Sequence, residues 1–466
     1  MTEFTAYSAT LHPVVKLEED YNNILDHAFF KNNGYLARPN GSNYELINGS
    51  TGKKVSAATS TDAAVTLTAG LVLGSVFVAD GTYNMQSTLS LTSLHHLYAE
   101  SRKAILKAPA GCADGFTVEG TEKPMIFFKS GSTGYDFGVH GFTIDTNFAN
   151  HAVADLSPIC LFSDHQRAVI ENCYIKAFTG TNIAGLYDRL GTFDTIQNNY
   201  IENGTGASAE GIYTFLTSKS LFFNNTIDTM GREGFYISDA TDGTGTTGYN
   251  RFIGNHVYNV AAEAFDIRSL YNIIEDNEIV DCVDGIYLTA QYNIAKGNQI
   301  LGVASAKSNA IVMDFGRGSQ SAVDCNVTGN FIKGYNRGIW VNGTDGAVRN
   351  TINSNTLQTC GTGLNIMGNA QCGCAGNNFY YCTLGVDLNG AQGNSITGGT
   401  YTNSGTAAVY TRANCTYNNF ANVNAGNNGG GKGIVDLAAT EAACTNRYTA
   451  CWDAGWSWMA TYGSGT

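Results

Sequence analysis

Apolar and polar residues alternate along this chain in short bursts, and between Gly138 and Leu388 one phrase keeps returning. It reads apolar residue, two variable residues, usually Asn, one more residue, then Ile, Leu or Val. IQNNYI (196–201), FFNNTI (222–227), FIGNHV (252–257), IEDNEI (274–279), VTGNFI (327–332) and INSNTL (352–357) are copies. Its fourth position runs Asn199, Asn225, Asn255, Asn277, Asn298, Asn330 and Asn355, at intervals from 21 (Asn277 to Asn298) to 32 (Asn298 to Asn330) residues. Strands this short cannot bury an apolar face alone, so a fixed-phase repeat of this length has to stack on its neighbours. The expected fold is all-β: a right-handed parallel β-helix with at least nine coils between about residues 137 and 437. The Asn side chains should lie inside the bends, bonded from coil to coil, on backbone that tolerates the left-handed region.

A second phrase begins with Gly or Ala and an inward apolar residue: GIYTF (211–215), GFYIS (234–238), AFDIR (264–268), GIYLT (285–289), AIVMD (310–314) and GIWVN (338–342). Alternation turns the third and fifth residue of each copy outward. Stacking then gives one outer column of Tyr213, Tyr236, Asp266, Tyr287, Val312 and Trp340, and beside it Phe215, Ser238, Arg268, Thr289, Asp314 and Asn342.

The flanks divide the chain into residues 1–60, a β-helix over 61–437 and a cap over 438–466. Residues 14–31 carry helical spacing, residues 33–55 read as a hairpin, and Trp452, Trp456 and Trp458 belong to the C-terminal cap. The uncharged run Ala63 to Ala79 is broken by Thr, Gly and Ser. It is expected to be a short capping helix and a strand rather than a membrane span.

With 55 Gly, 5 Pro and 14% charged residues, the composition suits tight turns between strands and suits neither disorder nor a helical bundle. The net charge of −13 argues against nucleic acid as a partner. The 12 cysteines are scattered without paired zinc spacing. They read as core fillers, with disulfides in the C-terminal set if the chain is exported. The segment MTEFTAYSATLHPVV lacks the basic and apolar regions of a secretory signal.

The stretch TDAAVTLTAGLVLGSVFVADGTYNMQSTLSL (61–91), with NGSTGKKV (48–55) before it and FGVHGFTID (137–145) after it, resembles the entry segment of pectate-lyase-like β-helix proteins. That superfamily includes polysaccharide lyases, glycoside hydrolases and tailspike-like proteins. The resemblance covers roughly residues 40–440. It is specific for the fold and much less so for chemistry, because such a fold hosts many activities. The Asn-Thr-Asp, Asp-Asp and Gly-His-Gly set of polygalacturonase-like hydrolases is absent, as is the Asp-Pro-His-Glu motif of alginate epimerases.

The outer columns place aromatic platforms around charged groups, which is what a pyranose chain requires. Tyr213, Tyr236, Tyr287 and Trp340 are the expected sugar contacts, with Arg232, Glu233 and Arg317 beside them. Asp266 and Arg268 are the expected catalytic centre, and Asp239, Glu263 or Asp314 would supply a second acid. Long insertions at 238–250 and 315–324 should wall the groove. Asp239 and Asp242 are the candidate ligands for Ca²⁺. The expected activity is extracellular polysaccharide degradation, by a lyase or a glycoside hydrolase. The alternative is a non-catalytic surface, filament or virion protein, and either form could assemble as a homo-oligomer.

Overall fold

The computed structural model describes residues 34–451, apart from short stretches that include 240–246, 316–320, 426–431 and 438–444. The expected helix over 14–31 and the three tryptophans of the tail lie outside the described residues.

Short strands separated by bends pair in parallel with their counterparts one coil away, forming sheets of 13, 14 and 18 strands. Equivalent positions of the repeated phrase stack on one another. Its last residue gives the inward column Ile201, Ile227, Val257, Ile279, Ile300, Ile332 and Leu357. Its first gives Ile196, Phe222, Phe252, Ile274, Ala295, Val327 and Ile352. These residues are fully buried, so each coil's apolar face is covered by the walls of the same tube and by the coils above and below. The Gly or Ala that opens the second phrase sits at an inside corner. A Cβ at Gly234 would come within 2.7 Å of both Val257 Cγ1 and the Ala264 carbonyl oxygen.

The Asn column is internal, as its spacing predicts. Asn277 Oδ1 accepts from the Asn255 backbone N–H at 2.8 Å and from Asn255 Nδ2 at 3.0 Å. Asn277 Nδ2 donates to Asn298 Oδ1 at 2.9 Å and to the Phe252 carbonyl at 2.9 Å. One correction concerns the backbone. The left-handed residue is the one before each ladder Asn, at Asn198, Asn224, Gly254, Asp276, Gly297, Gly329 and Ser354, with φ between 51° and 67°. The reversal is made there, which leaves the Asn side chain aimed inward.

At the N-terminal end Tyr35–Asn40 and Asn43–Asn48 form the expected antiparallel hairpin. Its first strand then pairs in parallel with Val76–Val78. Ala63–Leu73 is a helix whose first turn is capped by the Asp62 carboxylate accepting from the Ala64 N–H, and it buries Ala63, Ala64, Leu67 and Leu71 on the first coil. No helix among the described residues is long and apolar enough to cross a membrane. At the far end Arg447–Thr449 stacks in parallel on Asn419–Ala421. All eleven described cysteines are free, and nine are buried, so the described chain carries no disulfide.

Candidate functional site

The 14-stranded sheet carries the outer columns, and its register joins Tyr187, Tyr213, Tyr236, Asp266, Tyr287, Val312, Trp340 and Asn365 into one row. At its start Tyr187 and Tyr213 stack face to face with ring centroids 4.4 Å apart, and Tyr236 follows tilted at 32°, its ring 4.8 Å from that of Tyr213. Asp266 follows, and Tyr287 lies beyond it. Val312, expected outside, is fully buried by its neighbours.

Arg268 grips Asp266 from the same strand. Its Nη2 lies 2.5 Å from Oδ2, and its Nε donates to both carboxylate oxygens at 3.0 and 3.1 Å. The guanidinium also lies 4.7 Å from the centre of the Tyr236 ring. Burial alone would lower the pKa of Arg268, but the ion pair with Asp266 reverses this and holds it above its ordinary value.

A third outward column is built from acids at the sheet's entry corner. The strand register aligns Glu263 with Asp284 and, by continuation, places Glu210 and Glu233 in the same row. Arg232 bridges the first two, with Nη1 3.1 Å from Glu210 Oε1 and Nε 2.9 Å from Glu233 Oε1. Carboxylate oxygens of Glu233, Glu263 and Asp266 lie within 4.8 Å of one another. Stacked carboxylates with little solvent resist ionisation. Burial, reinforced by Glu233, pushes Glu210 up to about 8. Burial raises Glu233 to about 7, with Arg232 opposing and Asp266 and Glu263 assisting. Glu263 and Asp284 are also raised, chiefly by burial.

Asp314 accepts from Tyr287 Oη at 2.8 Å and from Asn342 Nδ2 at 2.9 Å, so it braces the tyrosine rather than facing Asp266. Asp239 is buried, at 2% exposure. Asp242 and Arg317 lie outside the described residues, as do the central parts of both expected walls. Trp340 continues the row with Arg337 4.7 Å from its ring centre. A shallow depression of about 420 Å³, lined by Lys307, Ser308, Tyr335 and Asn336, lies off this row. Glu210 and Asp284 are the site residues that sequence reasoning missed. The signal was an acid directly before the small corner residue, as in EGIY, EGFY, EAFD and DGIY.

A family model described as right handed beta helix region matches residues 137–300, and one described as periplasmic copper-binding protein (NosD) matches residues 303–446. No curated protein matches. Among solved structures, the tailspike protein of Escherichia coli bacteriophage HK620, in complex with a pentasaccharide, is 10% identical with a TM-score of 0.51, covering 84% of this chain and 75% of its own. The A-module of a mannuronan C-5 epimerase from Azotobacter vinelandii is 14% identical with a TM-score of 0.36, covering 85% and 96%. The catalytic unit of a GH87 α-1,3-glucanase from Streptomyces thermodiastaticus is 13% identical with a TM-score of 0.46, covering 85% and 66%. The stacked parallel sheets, with the family model over residues 137–300, show the fold to be a right-handed parallel β-helix.

Copper does not fit the residues of the segment that matches NosD. It contains no His. Its described cysteines are buried core residues, and no three His, Cys, Asp or Glu ligands converge there among the described residues.

Proposed function

We propose that this chain is an extracellular or virion-surface hydrolase of a neutral polysaccharide, working on the outer face around Glu233, Glu263 and Asp266. The observation that carries the reading is the convergence of those three carboxylates between two arginines and beside a tyrosine row. Hydrolysis of a glycosidic bond needs one carboxyl group that keeps its proton and a second that is ionised. Glu233, raised to about 7, suits the proton donor. Asp266, the ionic partner of Arg268, suits the second role. The short separation agrees with a mechanism that retains anomeric configuration. Tyr213, Tyr236 and Tyr287 would support the sugar rings.

A uronic acid polymer is the poorer substrate. Its carboxylates would arrive where Arg268 is already paired with Asp266 and Arg232 with Glu210 and Glu233, so elimination has little to recommend it here. A divalent ion shared by the three converging carboxylates is the arrangement that would reopen it.

A non-catalytic reading is favoured by burial. Glu233 and Asp266 are only 2% and 1% exposed, so the charged network could brace a glycan-binding face without cutting anything. The HK620 tailspike, similar in fold, is a pentasaccharide complex.

The test is a panel of neutral and acidic polysaccharides, read for reducing ends and for ultraviolet-absorbing unsaturated ends. Reducing ends from a neutral glycan, lost by at least about 100-fold in Glu233→Gln, are expected. Unsaturated ends would replace hydrolysis by elimination. Binding without either product would establish the adhesin.

A further inference from the structure

Away from the outer face, three ionisable side chains meet inside the tube near its N-terminal third. His165 lies on the strand His165–Glu171, Asp188 on Ile183–Arg189, and Asp194 in the bend before Thr195–Gln197. All three are at most 1% exposed. His165 Nε2 lies 3.1 Å from Asp188 Oδ1 and 3.2 Å from Asp194 Oδ2.

Protons alone serve this cluster badly. An imidazole Nε2–H can donate to only one of two acceptors. Both oxygens of Asp188, and Oδ2 of Asp194, are buried, and their ion pairs with His165 Nε2 fall outside hydrogen-bond geometry.

The space between the groups is kept open by a glycine. A Cβ on Gly191 would come within 2.0 Å of Asp194 Oδ2, 2.4 Å of Asp188 Oδ1 and 2.9 Å of His165 Nε2, so any side chain there would crowd all three atoms. Gly191 is not in the left-handed region, so backbone freedom does not explain it.

We propose that His165, Asp188 and Asp194 bind a divalent first-row transition ion, zinc being the best match. Bonds of about 2.0–2.1 Å around a tetrahedral ion put neighbouring ligand atoms about 3.3 Å apart, close to the two distances found. A neutral imidazole, two carboxylates and a dipositive ion also sum to zero charge. The ligands are held in place independently. Asp194 Oδ1 accepts from the Ala168 N–H at 2.7 Å, and its own N–H donates to Ser220 Oγ at 3.0 Å. Phe128 and Phe137, stacked at 3.9 Å, flank the His165 ring and exclude water. The ion would tie two sheets together beside Tyr187, where the tyrosine row begins, and the inference does not depend on the sugar-processing reading.

The experiment refolds the full chain with excess Zn²⁺ or Co²⁺, removes free ion by gel filtration, and measures bound metal by mass spectrometry and the visible spectrum of the Co²⁺ form. About one ion per chain is expected, with a chelator lowering the melting temperature by several degrees. Asp188→Asn and His165→Gln should lose the ion, and Gly191→Ala should lose it with all three ligands present. A folded parent without a stoichiometric ion overturns the proposal, as does an ion retained equally by Gly191→Ala and Asp188→Asn. Should the ligand variants fail to fold, the parent's metal content and Co²⁺ spectrum decide alone.

Discussion

The amide column from Asn199 to Asn377 and the carboxylate column from Glu210 to Asp284 climb the same solenoid, one residue per coil, one inside the bends and the other on the outer face. An amide donates and accepts, so a stack of amides satisfies itself, and each step adds bonds of 2.8 to 3.1 Å. An ionised carboxylate only accepts. A stack of them repels itself and persists only with arginines between its members or protons upon them. The first column therefore contributes stability wherever it extends, whereas the second opposes it. A column that opposes stability and is nonetheless confined to four successive coils beside the tyrosine row is where a function of this face is to be sought.

Breaking the amide column should cost the most. Asn277→Ala removes the acceptor of the buried Asn255 N–H and the donor to the Phe252 carbonyl. A loss of about 2–4 kcal/mol is expected from orphaned buried groups, read from the midpoint of denaturant unfolding. A loss below about 1 kcal/mol would mean that water or a neighbouring coil replaces the ladder, and the contrast would fail.

Relieving the carboxylate column should act in the opposite direction and depend on pH. Glu210 is raised from an ordinary 4.5 to about 8. The native state therefore keeps a proton that the unfolded chain has lost, and this stabilisation is complete below about 4.5. It declines as pH rises and is gone above about 8, with a slope of up to about 1.4 kcal/mol per pH unit. Glu210→Gln should flatten that decline and be more stable than the parent at pH 9, by on the order of 1–2 kcal/mol. Thermal unfolding from pH 5 to 9 measures it, and a parent whose stability rises over this window would contradict the assignment.

The smallest effect sharpens the comparison at its edge. Tyr287→Ala removes a platform beyond Asp266 and should weaken glycan binding by about 1 kcal/mol, measured by calorimetry on whichever polymer the parent binds. Unchanged affinity would exclude the row from the binding surface.

The coils and the Asn ladder were legible because stacking forces equivalent residues into one phase, and a phase survives insertions of different length. The tyrosine and Asp266 row was legible for the same reason, strand alternation being reliable over five residues. Glu210 and Asp284 were hidden because alternation fails at the corner. A Cβ on Gly211 would meet Ile227, and Ile212 is also buried, so two successive residues face inward and the acid before them emerges outside. A second amide ladder also went unread. Asn250, Asn272 and Asn293 bond from coil to coil, as do Asn394, Asn418 and Asn446. Its mark is the Tyr-Asn pair at 249–250, 271–272, 292–293 and 417–418, whose Tyr takes the left-handed turn. Cys325 and Cys372 occupy its intermediate steps and interrupt the pattern. Charge pairing between neighbouring coils, as in His165 with Asp188 and Asp194, occurs once and so has no repeat to reveal it.

The hairpin at the N-terminal end bears on how the stacking of strands is brought to an end. Every parallel strand edge is a template on which an identical strand of another molecule can be copied, and an uncovered coil would let tubes polymerise end to end. Tyr35–Asn40 occupies that edge in parallel and at once turns the chain back on itself, so Asn43–Asn48 presents strands of the opposite sense, while Ala63–Leu73 lies over the apolar mouth. Reversing the direction of one strand thus ends a lattice that every other strand in the molecule is shaped to continue.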